Sequence, residues 1–268
     1  MQQAAIVRSI DSSNDSIGAR AARHLDLVWR HMIHGPGVEQ TGKFIRVVTR
    51  EPHPFGNLAI VSDPDDLAST QAAVGPLLGV DFPGALLYPR GISDAVRGAV
   101  GTLGFADHGA MPAMAVDIAR MPATSLPPGY ALRRVGPGND GSAWAETLAV
   151  GYGLPQAVAH LFSPDTFGAD MAPGADVQFF SILWNQQTVA TSLLFLADGL
   201  AGIYCVATLP EERGKGLGAH ATAAALRVAH RLGYGVGVLQ SSPMGHSVYL
   251  ALGFVDHGSV AMFVRPTT

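Results

Sequence analysis

Pro210-Glu-Glu-Arg-Gly-Lys-Gly-Leu-Gly-Ala219 sets three glycines, Gly214, Gly216 and Gly218, between an apolar run ending at Thr208 and a helix-periodic segment. Behind the loop, Leu217, Ala221, Ala224, Ala225, Val228 and Leu232 recur at helical spacing, while His220, Arg227 and Arg231 fall on other faces. Gly233 is a natural stop. The glycines therefore lie where a strand hands over to a helix. Glycine there lets the backbone approach an anion closely, with the free N–H groups of the first helical turn pointing at it. The helix dipole and the neighbouring Arg213 and Lys215 favour negative charge. From Arg213 to Val255 the chain has four basic residues and no acidic one, a balance suited to a phosphate-rich ligand.

Two other phosphate folds are tested by the same residues. Gly214-Lys-Gly-Leu-Gly-Ala219 satisfies the loose G-x-G-x-x-G/A dinucleotide pattern, but that fold needs a carboxylate about 20 residues on, and none comes before Asp256. A Walker loop fails because Lys215 is followed by Gly216 rather than Ser or Thr. Upstream, residues 188–209 carry a single charge and are long enough to span a bilayer. Asp198-Gly199 is a favoured hairpin turn with Thr/Val/Ile-rich flanks, so two paired strands explain this stretch better. Downstream stands Ser242-Pro-Met-Gly-His-Ser-Val-Tyr-Leu-Ala-Leu-Gly-Phe254, with Ser242 a natural N-cap, Pro243 a first helical residue and Gly253 a stop. Val248, Ala251 and Leu252 would pack inward and Tyr249 would point to another side.

With these residues in view, the chain resembles the GNAT superfamily of N-acetyltransferases across roughly residues 130–264. The family's loop motif, Arg/Gln-x-x-Gly-x-Gly/Ala, is met by Arg213-Gly214-Lys215-Gly216-Leu217-Gly218, and Val206-Ala-Thr-Leu-Pro210 has its strand-then-proline lead-in. The resemblance implies acetyl-CoA as co-substrate, no metal, and an amine of a small molecule or peptide as acceptor. It implies a pyrophosphate on the amides of Gly214 to Ala219, and a pantetheine arm paired with Val206, Ala207 and Thr208. A backbone amide of that strand, with Val206 the choice, would polarise the thioester oxygen. Tyr249 would protonate the departing thiolate, and Ser242 would lie against the coenzyme.

No base for the amine is visible. An alkyl amine with pKa near 10 is only about 0.1% neutral at pH 7. Glu146, Asp198, His246 and a water chain all stay open, with Asp198 better explained as a turn residue and Glu211 and Glu212 as a solvated loop face. Cys205, a lone strand cysteine, reads as a small buried hydrophobe. His31-Met-Ile-His34 puts two imidazoles on adjacent turns without a further ligand at useful spacing, so a polar helix end is expected. A coenzyme-binding sensor that has lost turnover is the non-enzymatic alternative.

The two halves share a phrase. Leu103-Gly-Phe-Ala-Asp-His-Gly109 recurs as Leu252-Gly-Phe-Val-Asp-His-Gly258, and Leu58-Ala-Ile-Val-Ser-Asp-Pro64 echoes Tyr204-Cys-Val-Ala-Thr-Leu-Pro210. Same order and nearly the same offset point to two copies of one fold. The expectation is an α/β (α+β type) chain of tandem GNAT-like domains, each a mixed, mostly antiparallel sheet flanked by helices. A degenerate copy would occupy residues 1–120, a Pro-rich linker 121–129, and the catalytic copy 130–268. In the first copy Pro64 is followed by Asp65-Asp-Leu-Ala-Ser-Thr70, without glycines, and Val100 takes the Tyr249 position. Helices are expected over residues 16–34, 65–78, 93–103, 140–162, 215–232 and 243–252. Strands are expected over 44–49, 57–61, 85–88, 113–118, 130–135, 178–184, 188–196, 201–208, 235–240 and 260–264.

Composition fits an enzyme of this kind. Apolar types make up 48% of the 268 residues and charged types 14%, too apolar for a disordered chain. A net charge of −4 argues against a dedicated nucleic-acid binder. A single cysteine excludes an intrachain disulfide and makes a reducing compartment the default. Residues 1–15 lack the apolar run of a secretory signal, so a cytoplasmic protein without a membrane partner is expected.

Overall fold

The computed structural model describes residues 6–10, 16–168 and 170–266, so much of the 1–15 segment lies outside the described residues. The first half runs α1 (Ser16–Met32), β1 (Val38–Gln40), β2 (Phe44–Val48), β3 (Asn57–Val61), α2 (Leu67–Leu78), β4 (Gly84–Tyr88), α3 (Asp94–Thr102) and β5 (Ala106–Asp117). The second begins with β6 (Tyr130–Val135), α4 (Asn139–Tyr152), α5 (Gln156–His160), α6 (Pro164–Phe167), β7 (Val177–Trp184) and β8 (Gln187–Ala197). It continues with β9 (Leu200–Thr208), α7 (Leu217–Arg231), β10 (Val236–Gln240), α8 (Pro243–Ala251) and β11 (Val255–Arg265). Residues 187–208 form the expected hairpin around Asp198-Gly199, and no helix of the described residues is long and apolar enough to cross a membrane.

The sheet departs from two separate copies. All the described strands join in one eleven-stranded sheet, ordered β1-β2-β3-β4-β11-β5-β10-β9-β8-β7-β6. The last strands of the two halves are exchanged. β5 pairs antiparallel with β10 (Ala113 opposite Gln240), while β11 pairs antiparallel with β4 (Phe263 opposite Leu86) and with β5 (Val255 opposite Ala115). Both exchanged strands are longer than expected because their first five residues are exposed and, Val255 apart, polar or small, so no apolar alternation marks them.

Side-chain alternation sorts the helices into two layers. Ala85, Leu87, Ala113, Ala115, Val236 and Val238 face α1 and α4, whereas Met114, Val116, Leu239 and Ile203 face α7 and α8. Leu86, Tyr88 and Phe263 continue the second face beneath α2 and α3. α1 packs on strands from both arms of the sheet, β2 and β8 as well as β10, β5 and β11, so the sheet curves around it. Its Arg20 and Arg23 hold Asp198, which places that carboxylate at the hairpin turn (φ 50°) and not at a reaction centre. Residues 121–129 lie along α7: Arg227 donates to Thr124 Oγ1 and to the Pro122 carbonyl, each at 3.3 Å.

Candidate active site

β9 and β10 are parallel but pair only at Ala201–Gly237 and Gly202–Val238. β9 then runs on to Thr208 with no partner on its β10 side, leaving a V-shaped opening between the strands. Its counterpart β3 ends one residue after its last pair with β4, Ile60–Leu87. Inside the V, β9 bulges: two steps of β8 (Thr191 to Leu193) match three of β9 (Ala207 to Tyr204), and Cys205 takes a left-handed φ of 51°. Buried Thr191 pins the bulge by donating its Oγ1 hydrogen to the Cys205 carbonyl at 2.7 Å. Val206 and Thr208 then face the start of α7, with Val206 Cγ1 and Thr208 Oγ1 beside Gly218, and Ala207 faces α4 at Gly151.

The loop into α7 is built on left-handed glycines. Gly214 has φ 78° and Gly216, the N-cap, φ 74°. The first helical turn closes with His220 N–H on the Gly216 carbonyl. The amides of Gly214, Lys215, Gly216, Leu217, Gly218 and Ala219 have no acceptor among the described residues. In the first half the corresponding helix start is filled from within: Asp66 Oδ1 accepts from Ser69 N–H at 2.8 Å, and Lys43 pairs with the same carboxylate. Hydrogen bonds from the Ser69 backbone and side chain hold Asp66 below its ordinary pKa. Val100, at the Tyr249 position, is fully buried.

Charged residues of the loop serve the scaffold more than the opening. Arg213 donates to the Gly151 carbonyl at 2.9 Å and the Thr208 carbonyl at 3.3 Å, tying the end of α4 to the end of β9. Lys215 Nζ lies 2.8 Å from Glu212 Oε2 and 3.0 Å from the Tyr130 hydroxyl, and Tyr130 also donates to Glu212. These bonds, that from Lys215 first, lower the Glu212 pKa, and the bond to Glu212 raises that of Lys215. Glu212 is therefore an anchor and not the solvated loop residue expected, because Tyr130 and Lys215 cover its carboxylate.

α8 is capped as read: Ser242 Oγ accepts from Gly245 N–H at 3.2 Å and Pro243 opens the helix. Its inward face is different. Tyr249 and Leu252 are buried, Val248 and Ala251 face outward, and the Tyr249 ring meets Phe254 edge-on at 5.8 Å. The larger aromatic surface takes the core position, three residues from Leu252 on one helix face. Burial pushes the Tyr249 pKa up to about 12 and that of the Cys205 thiol also to about 12. Tyr152, at the end of α4, brings its hydroxyl within electrostatic reach of Tyr249 and Cys205; desolvation of that end, though part of the ring stays exposed, raises its pKa.

Tyr152, Tyr204, Gln240 and His24 are not legible in the sequence as neighbours of the opening: Tyr204 and Gln240 are single polar groups in apolar strands, while His24 and Tyr152 are each one of several polar residues on a helix. His24, fully buried on α1, lies 2.8 Å through Nδ1 from the Tyr204 hydroxyl and 3.2 Å through Nε2 from the Ala197 carbonyl. Gly202 leaves room for this pair, because a Cβ there would come 2.5 Å from the imidazole and 2.6 Å from the Tyr204 ring. Gly202→Ala should cost about 1–3 kcal/mol by overpacking, read as a lower urea midpoint. Of the candidate bases, Glu146 is exposed on α4, and His246 Nε2 sits 3.0 Å from both Asp256 carboxylate oxygens on an exposed face. His34 Nε2 lies 3.0 Å from the His31 carbonyl, a helix-end contact.

Desolvation lowers the His24 pKa from 6.5 to about 4. The unfolded chain binds this proton near pH 6.5 and the folded chain only near 4, so this group's share of stability is intact above 6.5 and lost as pH falls toward 4. The slope is about 1.4 kcal/mol per pH unit within that window. Urea midpoints from pH 7 to pH 4 should fall more steeply for the native chain than for His24→Leu.

A splayed parallel strand pair, a glycine-rich helix entry and a tyrosine helix closing on Leu-Gly-Phe meet at one opening of the sheet. Residues 154–254 match the Acetyltransferase (GNAT) family. A GCN5-related N-acetyltransferase from Kribbella flavida is similar over 94% of this chain and 96% of its own, at 19% identity and a TM-score of 0.64. One from Sphaerobacter thermophilus covers 97% and 96% at 15% identity and a TM-score of 0.61. A tandem GNAT protein from the clavulanic acid biosynthesis pathway covers 98% of both chains at 16% identity and a TM-score of 0.53. These likenesses establish the fold over both halves. Comparison with curated proteins gives no match.

Proposed function

We propose that the second half, residues 130–268, transfers an acetyl group from acetyl-CoA directly to an amine, and that the first half, residues 1–120, is a non-catalytic copy. The observation that carries this reading is the free amide row of Gly214–Ala219 opening beside the unpaired edge of β9. That row suits a pyrophosphate, and the bare edge of Val206, Ala207 and Thr208 suits the amides of a pantetheine arm, as an added strand would. Arg213 acts by fixing this edge, Lys215 lends its amide while its ammonium stays with Glu212, and Ser242 aims α8.

Acetyl-CoA supplies the acyl thioester. The amine lone pair forms the C–N bond, the C–S pair leaves on sulfur, Tyr249 Oη gives sulfur its proton, and nitrogen sheds its own to water. Tyr249 is suited to this because burial keeps it protonated throughout the neutral range. The same burial raises the base that receives the proton. Burial likewise pushes the Cys205 thiol up to about 12, the direction in which desolvation moves any thiolate toward stronger basicity. Val206 offers the backbone amide for the thioester oxygen. A calorimetric titration with coenzyme A, followed by thiol release from acetyl-CoA across an amine panel, tests the reading. Binding with amine-dependent release supports it; binding without release would make the chain a sensor, and no binding would remove the coenzyme altogether.

A further inference from the structure

The opening between β9 and β10 has a second side, on the face of α1, and what is inferred there rests on the acetyl transfer proposed above. Tyr204 and Gln240 each stand two residues beyond the last strand pair, Gly202–Val238, so they face each other across the V on the α1 side of the sheet. Tyr249 and α7 lie on the other side. Gln240 Nε2 donates to the Ala21 carbonyl, which fixes which end of the amide is oxygen. Its Oε1 is buried and has no partner among the described residues. A buried carbonyl oxygen left without a donor marks a place where a donor is expected.

Tyr204 is aligned by a tautomer argument. The Ala197 carbonyl can only accept, so His24 Nε2 carries the hydrogen and Nδ1 is bare. The Tyr204 hydroxyl therefore donates to Nδ1, and its oxygen lies beside the Gln240 side chain. The charges near His24 are Asp198, Arg20 and Arg23, which pair with one another. Among the described residues the Tyr204 hydroxyl hydrogen-bonds the His24 imidazole and no carboxylate. Neutral acceptors in a desolvated setting, without a carboxylate bonded to them, disfavour an ammonium ion.

We propose that Gln240 Oε1 and Tyr204 Oη, oriented by His24 from the first half, receive the N–H groups of a weakly basic amine that enters uncharged. An α-amino group is about one-third neutral at pH 7.5, an alkyl amine only about 0.1%. The site thus takes acceptors that need little help losing a proton, which accords with the absence of a placed base among the described residues.

The test compares an amino-acid amide, an aromatic amine and an alkyl amine of similar size, with acetyl-CoA at pH 7.5. The amino-acid amide or the aromatic amine should exceed the alkyl amine at least tenfold in kcat/KM. Gln240→Met should raise the amine KM at least tenfold, with kcat falling far less and calorimetric affinity for coenzyme A within twofold. His24→Phe should raise the same KM through Tyr204. An alkyl amine preferred by the native enzyme, or an unchanged KM in Gln240→Met, overturns this proposal while leaving acetyl transfer standing. Coenzyme binding without turnover of any amine overturns both.

Discussion

In the Tyr249→Phe variant kcat should fall about a hundredfold, the low end of what a placed general acid contributes, while the Kd for coenzyme A should stay within about twofold. The substitution removes one hydroxyl and keeps the ring that packs on Phe254, so the α8 face and its neighbours are retained. Burial raises the phenol to about 12, so the native enzyme carries this proton at every pH from 6 to 9 and its loss is equally felt across that range. Thiol release at saturating acetyl-CoA, with calorimetry as the check on binding, separates the two quantities. An unchanged kcat would move the donor role elsewhere, and Tyr152 is the hydroxyl next in place.

The opposite signature is expected of Gly216→Val, which should weaken coenzyme A binding at least tenfold. Gly216 is the N-cap of α7 at φ 74°, a region costing a non-glycine residue about 1–2 kcal/mol and a β-branched one more. A tenfold loss corresponds to about 1.4 kcal/mol. Relieving the strain means turning the amides of Lys215 and Leu217 away from a common target, so the effect appears in Kd and not in the chemistry of Tyr249. The core side of α7, Leu217, Ala221 and Ala225, is untouched, and far-UV circular dichroism should be unchanged. Affinity that stays within twofold would mean that this loop does not hold the coenzyme.

The sequence is most informative where one residue type has one physical use. Three glycines ahead of an apolar helical stripe admit few backbones, and Ser242-Pro243 with Gly253 brackets α8 almost to the residue. Asp198-Gly199 resolves the apolar 188–209 run into β8 and β9 for the same reason. Glu212 escapes such a reading because a solvated carboxylate and one covered by Tyr130 and Lys215 look alike in a loop. Tyr204, Gln240 and His24 lie 36 to about 216 positions apart, and neither strand pattern nor helix period hints that they meet. The exchange of β5 and β11 leaves no trace either: strand order is decided by edges that pair in space, and the two repeats read identically whether their last strands stay home or cross over.

That crossing has a consequence for how the chain is made. β4 acquires its neighbour β11 only after the final strand has emerged from the ribosome, and β10 receives β5 from a segment synthesised far earlier. The early half must therefore wait with an open flank, and contacts of such long sequence separation slow folding and expose hydrogen-bonding edges to misassembly. Cutting the chain between the repeats would leave two fragments, each missing a strand that the other carries, and only their co-production in one cell should yield a protein that stays in solution.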